Sequence, residues 1–171
     1  MTRRSRGREV ALQVLYQIEQ NAGVPVTEIH QFIKRRLLGD PKLVEFTEGL
    51  IAGVKEHQTQ IDDMIKEVAE NWRLDRMAAI DRNILRLGAY EVLFRPEIPA
   101  RVAINESLEL AKRYSTAQSS RFVNGILDRV LQLHVRPENE GQDEPAPGEP
   151  ASASTEDEPA PSSASPEPES E

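Results

Sequence analysis

Apolar residues recur at intervals of three and four from Val10 to Leu133, and beyond Arg136 they stop. Such spacing lets an α-helix bury one face, and no stretch sustains the period-two alternation bounded by hairpin turns that a strand needs. From Pro137 onward there is no Lys, no Arg, no aromatic and no aliphatic larger than Ala. That segment cannot bury enough apolar area to offset the entropy of ordering it. The chain is therefore expected to be all-α over residues 1–136, with a disordered Pro/Ser/Glu-rich acidic tail over 137–171.

The pattern predicts about seven helices in a compact bundle, undivided or in two subbundles. The first spans about Arg4 to Gln20, with Ala11, Val14, Leu15 and Ile18 as its apolar stripe, and ends before Gly23 and Pro25. A second, Thr27 to Leu38, opens on a threonine cap and closes on Gly39. Asp40-Pro41 reads as an N-cap followed by proline at the first helical position, starting a helix to about His57. Another begins at Thr59, whose hydroxyl is a candidate cap with Asp62 three residues on. The longest, after Trp72, covers about Arg76 to Phe94; apolar residues on more than one face mark it as central. Val102 to Tyr114 and Ser119 to Leu133 complete the set.

The tail holds 11 of the 29 acidic residues and none of the 21 basic ones, so residues 1–136 carry 21 against 18, or +3, within a whole chain of −8. A modestly basic body permits a nucleic-acid partner. The tail serves solubility or competes with RNA for the basic face. With no cysteine, disulfides, thiolate metal sites and a cysteine nucleophile are excluded, and His30, His57 and His134 form no helical ligand pair, so no metal or cofactor is expected. No run approaches the roughly 18 apolar residues of a membrane span. The arginine-rich start lacks the continuous apolar core of a targeting peptide, and a cytoplasmic protein is expected.

Arg3, Arg4, Arg6 and Arg8 precede or open the first helix. Arginine's planar fork suits phosphate, and cations at a helix N-terminus oppose its dipole, a conflict that an anion relieves. The alternative is a solvated, frayed terminus. Arg6, Glu9, Gln13, Tyr16 and Gln20 form a polar stripe in which Tyr16 either stacks on a base or protein or edges the core. On the last helix Phe122 falls at the margin of the buried stripe, beside Gln118, Gly125 and Arg129, and serves stacking, core packing or both. Gly125 leaves room for a helix or a ligand. Asn124 bonds a base edge, caps a neighbouring chain or satisfies a buried backbone group. Arg86 reads as a structural ion-pair partner for an acid such as Glu106.

The segments ALQVLY (Ala11 to Tyr16), IDRNILRLGAYEVLFRPEIP (Ile80 to Pro99), VAINESLELAK and SSRFVNGILD, kept in order and spacing, resemble the signature of the NusB family of bacterial transcription antitermination factors. The resemblance covers roughly the first 135 residues and implies a NusB-like helical RNA-binding domain that acts without catalysis. It further implies binding of single-stranded boxA-type leader RNA together with the ribosomal protein NusE, supporting ribosomal RNA transcription by RNA polymerase. By position, the family's RNA contacts fall on Arg4, Arg6, Arg8, Tyr16, Gln118, Arg121, Phe122 and Asn124, and its protein-partner contacts on Tyr16 and Asp81. Ser5 interrupts what is often a denser arginine run, Gln118 stands where an acid can occur, and the acidic tail lies outside the family pattern. A homodimer that hides the RNA face stays open. The competing readings are a protein-interaction module, and an accessory domain like that of RNA cytosine methyltransferases, whose glycine-rich cofactor loop and catalytic cysteines this chain lacks.

Overall fold

The computed structural model describes residues 2–69 and 73–134. Trp72 and the acidic segment 137–171 lie outside the described residues. Seven α-helices and one 3-10 turn make up the described chain: α1 (Arg3–Gln20), α2 (Val26–Arg36), α3 (Pro41–Glu56), α4 (Gln58–Val68), the turn Leu74–Arg76, α5 (Ala79–Phe94), α6 (Ala100–Tyr114) and α7 (Ala117–His134). Helices α1, α2 and α3 pack together, α4, α6 and α7 pack around α5, and α1 and α3 lean on α5 from the other side. The expected central helix is thus α5, every residue of which from Asn83 to Leu93 is buried. Gly88 permits this: a Cβ there would collide with Ser107 of α6 and Leu127 of α7, so its absence lets both helices close on α5.

Local chemistry set some boundaries as expected. Asp40 accepts a hydrogen bond from the Leu43 amide at 3.3 Å, with Pro41 at the first helical position of α3. Elsewhere the expectation is corrected. Thr27 does not cap α2; the helix starts at Val26, because Pro25 holds φ −62° and its carbonyl accepts the Glu28 and Ile29 amides. Nor does Thr59 cap α4, which follows α3 directly through His57, whose carbonyl accepts the Ile61 amide. Helix α5 is not the longest. Extended backbone at Met77 separates it from the preceding turn, leaving it 16 residues against 18 for α1 and α7.

Buried ion pairs join the two groups. Arg86 is structural, as expected, but its partners are Asp62 of α4, at 2.7 and 2.8 Å, and Glu19 of α1, at 2.9 Å, rather than Glu106. Arg82 also pairs with Glu19 and donates to the Leu74 and Met77 carbonyls, each at 3.0 Å, fastening the turn before α5.

Candidate nucleic-acid interface

The polar corner between α6 and α7 is built by hydroxyls. The Thr116 hydroxyl accepts the Ser119 amide at 3.0 Å, capping α7, and the Ser119 hydroxyl donates to Asp81 Oδ2 at 3.1 Å, tying α7 to the first turn of α5. Asp81 Oδ1 is buried without a hydrogen-bond donor. The residue itself borders a cleft of about 500 Å³ with Arg76, Met77, Gln118, Arg121 and Phe122. Gln118 and Arg121 are exposed; Phe122 is half-buried and packs against the core, so it presents part of its ring to the cleft while anchoring α7. The structure thus brings Asp81, Gln118, Arg121 and Phe122 together.

Asn124 is not among them. Its amide donates to Asp128 one turn on, at 3.1 Å, a use that none of the three sequence readings named. Gly125 is exposed, and a Cβ there would touch nothing within 4 Å, so among the described residues no helix exploits the space.

The other predicted contacts lie on α1, outside this cleft. Thr2 caps it by accepting the Ser5 amide at 3.1 Å, so the arginine run is helical rather than frayed. Arg4 is exposed and lies over the Phe46 ring at 5.3 Å. Arg6 pairs with Glu9 at 3.1 Å and stays partly accessible. Arg8 requires correction as a phosphate ligand: its side chain is 3% exposed and donates to the Glu91 carboxylate at 2.8, 2.9 and 3.0 Å, with Glu106 a further 3.7 Å away. A guanidinium so enclosed is committed to the core. Burial pushes the Glu91 carboxyl above its ordinary value even against Arg8.

Glu9 is buried rather than part of an exposed polar stripe. Burial raises its carboxyl, but the Tyr114 hydroxyl, Arg6 and Arg113 outweigh that and hold it below the usual value. Gln13 donates to the Tyr114 hydroxyl at 3.1 Å, so the end of α6 is clamped on α1, with Arg113 at 3.2 Å from Glu9. Tyr16, one turn on, is 42% exposed. Arg76 was not singled out from the sequence; it enters the cleft only because the turn before α5 meets the corner of α7. Among the described residues no group of three acidic or histidine side chains is placed to hold a metal, and no helix is long and apolar enough to cross a membrane.

The model of the NusB family matches residues 5–132, which include the α6–α7 corner and α1 from Ser5 onward. The chain belongs to the NusB family. It is similar to the transcription antitermination protein NusB of Myxococcus xanthus, with 45% identity over 140 residues, 80% of this chain and all of the relative. It is also similar to the transcription antitermination protein NusB of Anaeromyxobacter sp. strain Fw109-5, with 48% identity over 128 residues, 75% of this chain and 89% of that one. The solved structure of T. maritima NusB superposes with a TM-score of 0.70 at 39% identity, over 81% of this chain and 96% of that one. A crystal structure of antitermination factors NusB and NusE in complex with double-stranded RNA matches in fold, with a TM-score of 0.69 at 24% identity over 77% and 98% of the two chains.

Proposed function

We propose that this chain is a non-catalytic transcription antitermination factor that binds single-stranded boxA-type leader RNA jointly with the ribosomal protein NusE, supporting ribosomal RNA transcription by RNA polymerase. The carrying observation is the cleft at the α6–α7 corner, where a half-buried Phe122 and an exposed Arg121 and Gln118 converge. An aromatic face offers stacking to an unpaired base, a guanidinium offers charge to its phosphate, and the Gln118 amide supplies edge recognition. The relatives at 45% and 48% identity bear the antitermination name, and a NusB of the same fold has been crystallised with NusE and double-stranded RNA.

In this reading Arg4, Arg6 and Arg121 meet phosphate, Phe122 stacks, and Gln118 selects. Tyr16 and Asp81 lie toward NusE, with Tyr16 also within reach of RNA. Asn124 contributes through its bond to Asp128, which fixes the face of α7 it shares. Arg8 keeps the fold.

Fluorescence anisotropy of a boxA-like RNA and its scrambled control, at two salt concentrations, with and without NusE, tests the proposal. Selective binding that tightens with NusE is expected. Weak, non-selective binding indifferent to NusE would overturn it.

A further inference from the structure

The α2–α3 corner gathers positive charge that the rest of the body does not balance. Lys34, Arg35 and Arg36 form the last turn of α2, and Lys42 stands in the first turn of α3. Ile33 and Leu37 are buried, so successive steps of about 100° fan the three intervening cations around the outside of the helix. All four cations are exposed, and among the described residues none of them makes an ion pair or a side-chain hydrogen bond to an acid. Elsewhere the arginines are mostly paired: Arg6, Arg8, Arg73, Arg82, Arg86, Arg95 and Arg113 each reach a carboxylate.

The cluster is continuous with the start of α1. Arg3 pairs with Asp40, the cap of α3, and Arg4 covers Phe46, which lies one turn beyond Lys42 on the same helix. Asp40 is the only acid in the sequence from residue 29 to residue 44, and residues 2–8 contain none. Six cations, Arg3, Arg4, Lys34, Arg35, Arg36 and Lys42, thus share these two stretches with one acid, Asp40, which is already engaged as a cap and by Arg3, while Glu97 is the further carboxylate that Arg4 acts on. The dipole of α2 accounts for cations at its C-terminus. It does not account for Arg3, Arg4 and Lys42, which sit in the first turns of α1 and α3, where neither helix has an acid. Between α2 and α3, Leu38 and Gly39 both adopt positive φ, 53° and 69°, which lifts the tip of the corner into solvent and leaves Leu38 94% exposed.

We infer that this corner is a second, sequence-independent phosphate site that carries the single-stranded RNA flanking the recognised element, with Arg35, Arg36 and Lys42 as its principal contacts. The inference rests on the RNA-binding reading above and extends its track from the α6–α7 cleft, past Arg6 and Arg4, to the tip at Leu38. RNA is favoured over an acidic protein surface because the corner meets the start of α1, whose Arg3 and Arg4 pack on Asp40 and Phe46 of α3 and prolong the basic surface toward the proposed RNA cleft.

The test uses the full chain and three single-stranded RNAs: a boxA-like element alone, the same element extended by about eight nucleotides, and a uridine homopolymer of the extended length, a size within the span of single-strand binding sites. The variant R35Q/R36Q/K42Q is compared with the parent and with R35K/R36K/K42R over a salt series. On the extended RNA and the homopolymer, the neutral variant should lower the slope of log affinity against log salt by about 0.7 per lost phosphate contact, or about 2 in all. The charge-keeping variant should restore it. On the short element the slope should not change. Unchanged slopes on all three RNAs would overturn the inference, as would an equal fall on the short element, which would place the corner inside the recognised segment. Loss of NusE binding with RNA slopes intact would reassign the corner to protein. Failure of the short element to be preferred over its scrambled control would sink the boxA reading alone, since the homopolymer still reads the phosphate site.

Discussion

Arg8 shows how one residue changes role with its depth. Its guanidinium donates three hydrogen bonds to Glu91, 83 residues away, in surroundings that admit almost no water. Replacing Arg8 by alanine leaves Glu91 buried and uncompensated, which should cost about 3 to 5 kcal/mol. The double replacement Arg8→Met with Glu91→Leu should recover most of that loss, because a well-packed apolar pair has no charge to desolvate. Urea midpoints of the two variants check this, and a double variant as weak as the single would show that the pair itself stabilises. Phe122 divides its ring between core and cleft, so alanine would confound packing with recognition. Phe122→Leu keeps most of the apolar volume and removes the aromatic face. It should cost little stability and about 1 to 3 kcal/mol of affinity for boxA-like RNA, with a smaller effect on scrambled RNA. Equal losses on both RNAs, measured by anisotropy, would remove base reading from its role.

At the level of the element, α1 is the helix most dependent on charge. Glu9 fastens it to Tyr114 and Arg113 of α6, and Glu19 to Arg82, Asn83 and Arg86 of α5. Burial pushes both carboxyls up, yet the Tyr114 hydroxyl at Glu9, and Arg82 with Asn83 at Glu19, outweigh it and leave both below the ordinary value of 4.5. A carboxyl whose folded value is depressed adds stability above its unfolded value and loses it as pH falls through the folded one. Stability should therefore decline as the pH drops below about 4.5. Glu91, pushed up by burial, has the opposite sign and cannot be the source of that decline. E9Q/E19Q should be less stable than the parent at pH 7 and show a flatter profile below pH 4.5, by denaturation at a series of pH values. A parallel acid limb in parent and variant would place the titrating groups elsewhere.

Across the whole molecule, what the sequence disclosed depended on the range of the forces involved. Periodicity and turn chemistry are local, so the helices, the Asp40-Pro41 start and the central position of α5 were legible. Partner choice is not local: Arg86 meets Glu19 across 67 residues, Ser119 meets Asp81 across 38, and only the packed fold says which acid each cation or hydroxyl reaches. That Phe122 shares a side of α7 with Gln118 followed from helix geometry, whereas Arg129, read onto the same side, donates to the Val68 carbonyl, and Arg121 entered only through the family resemblance. The burial of Arg8 was not legible, because a cation at the start of a helix reads as exposed until its buried carboxylate is known. Charge is the one global quantity that sequence supplies whole. Residues 137–171 carry −11 and the remainder +3, so the acidic segment reverses the sign of the field that an approaching RNA meets at long range. Removing residues 137–171 should strengthen binding to scrambled RNA at low salt. The gain should fade toward physiological ionic strength, as the screening length shrinks from about 30 Å at 0.01 M to about 8 Å at 0.15 M. The check is anisotropy of scrambled RNA on full-length and shortened chains at both ionic strengths. Identical affinities at 0.01 M would leave the acidic segment a role in solubility alone, and a gain that persists at high salt would mean that it occupies the RNA site by direct contact rather than through its field.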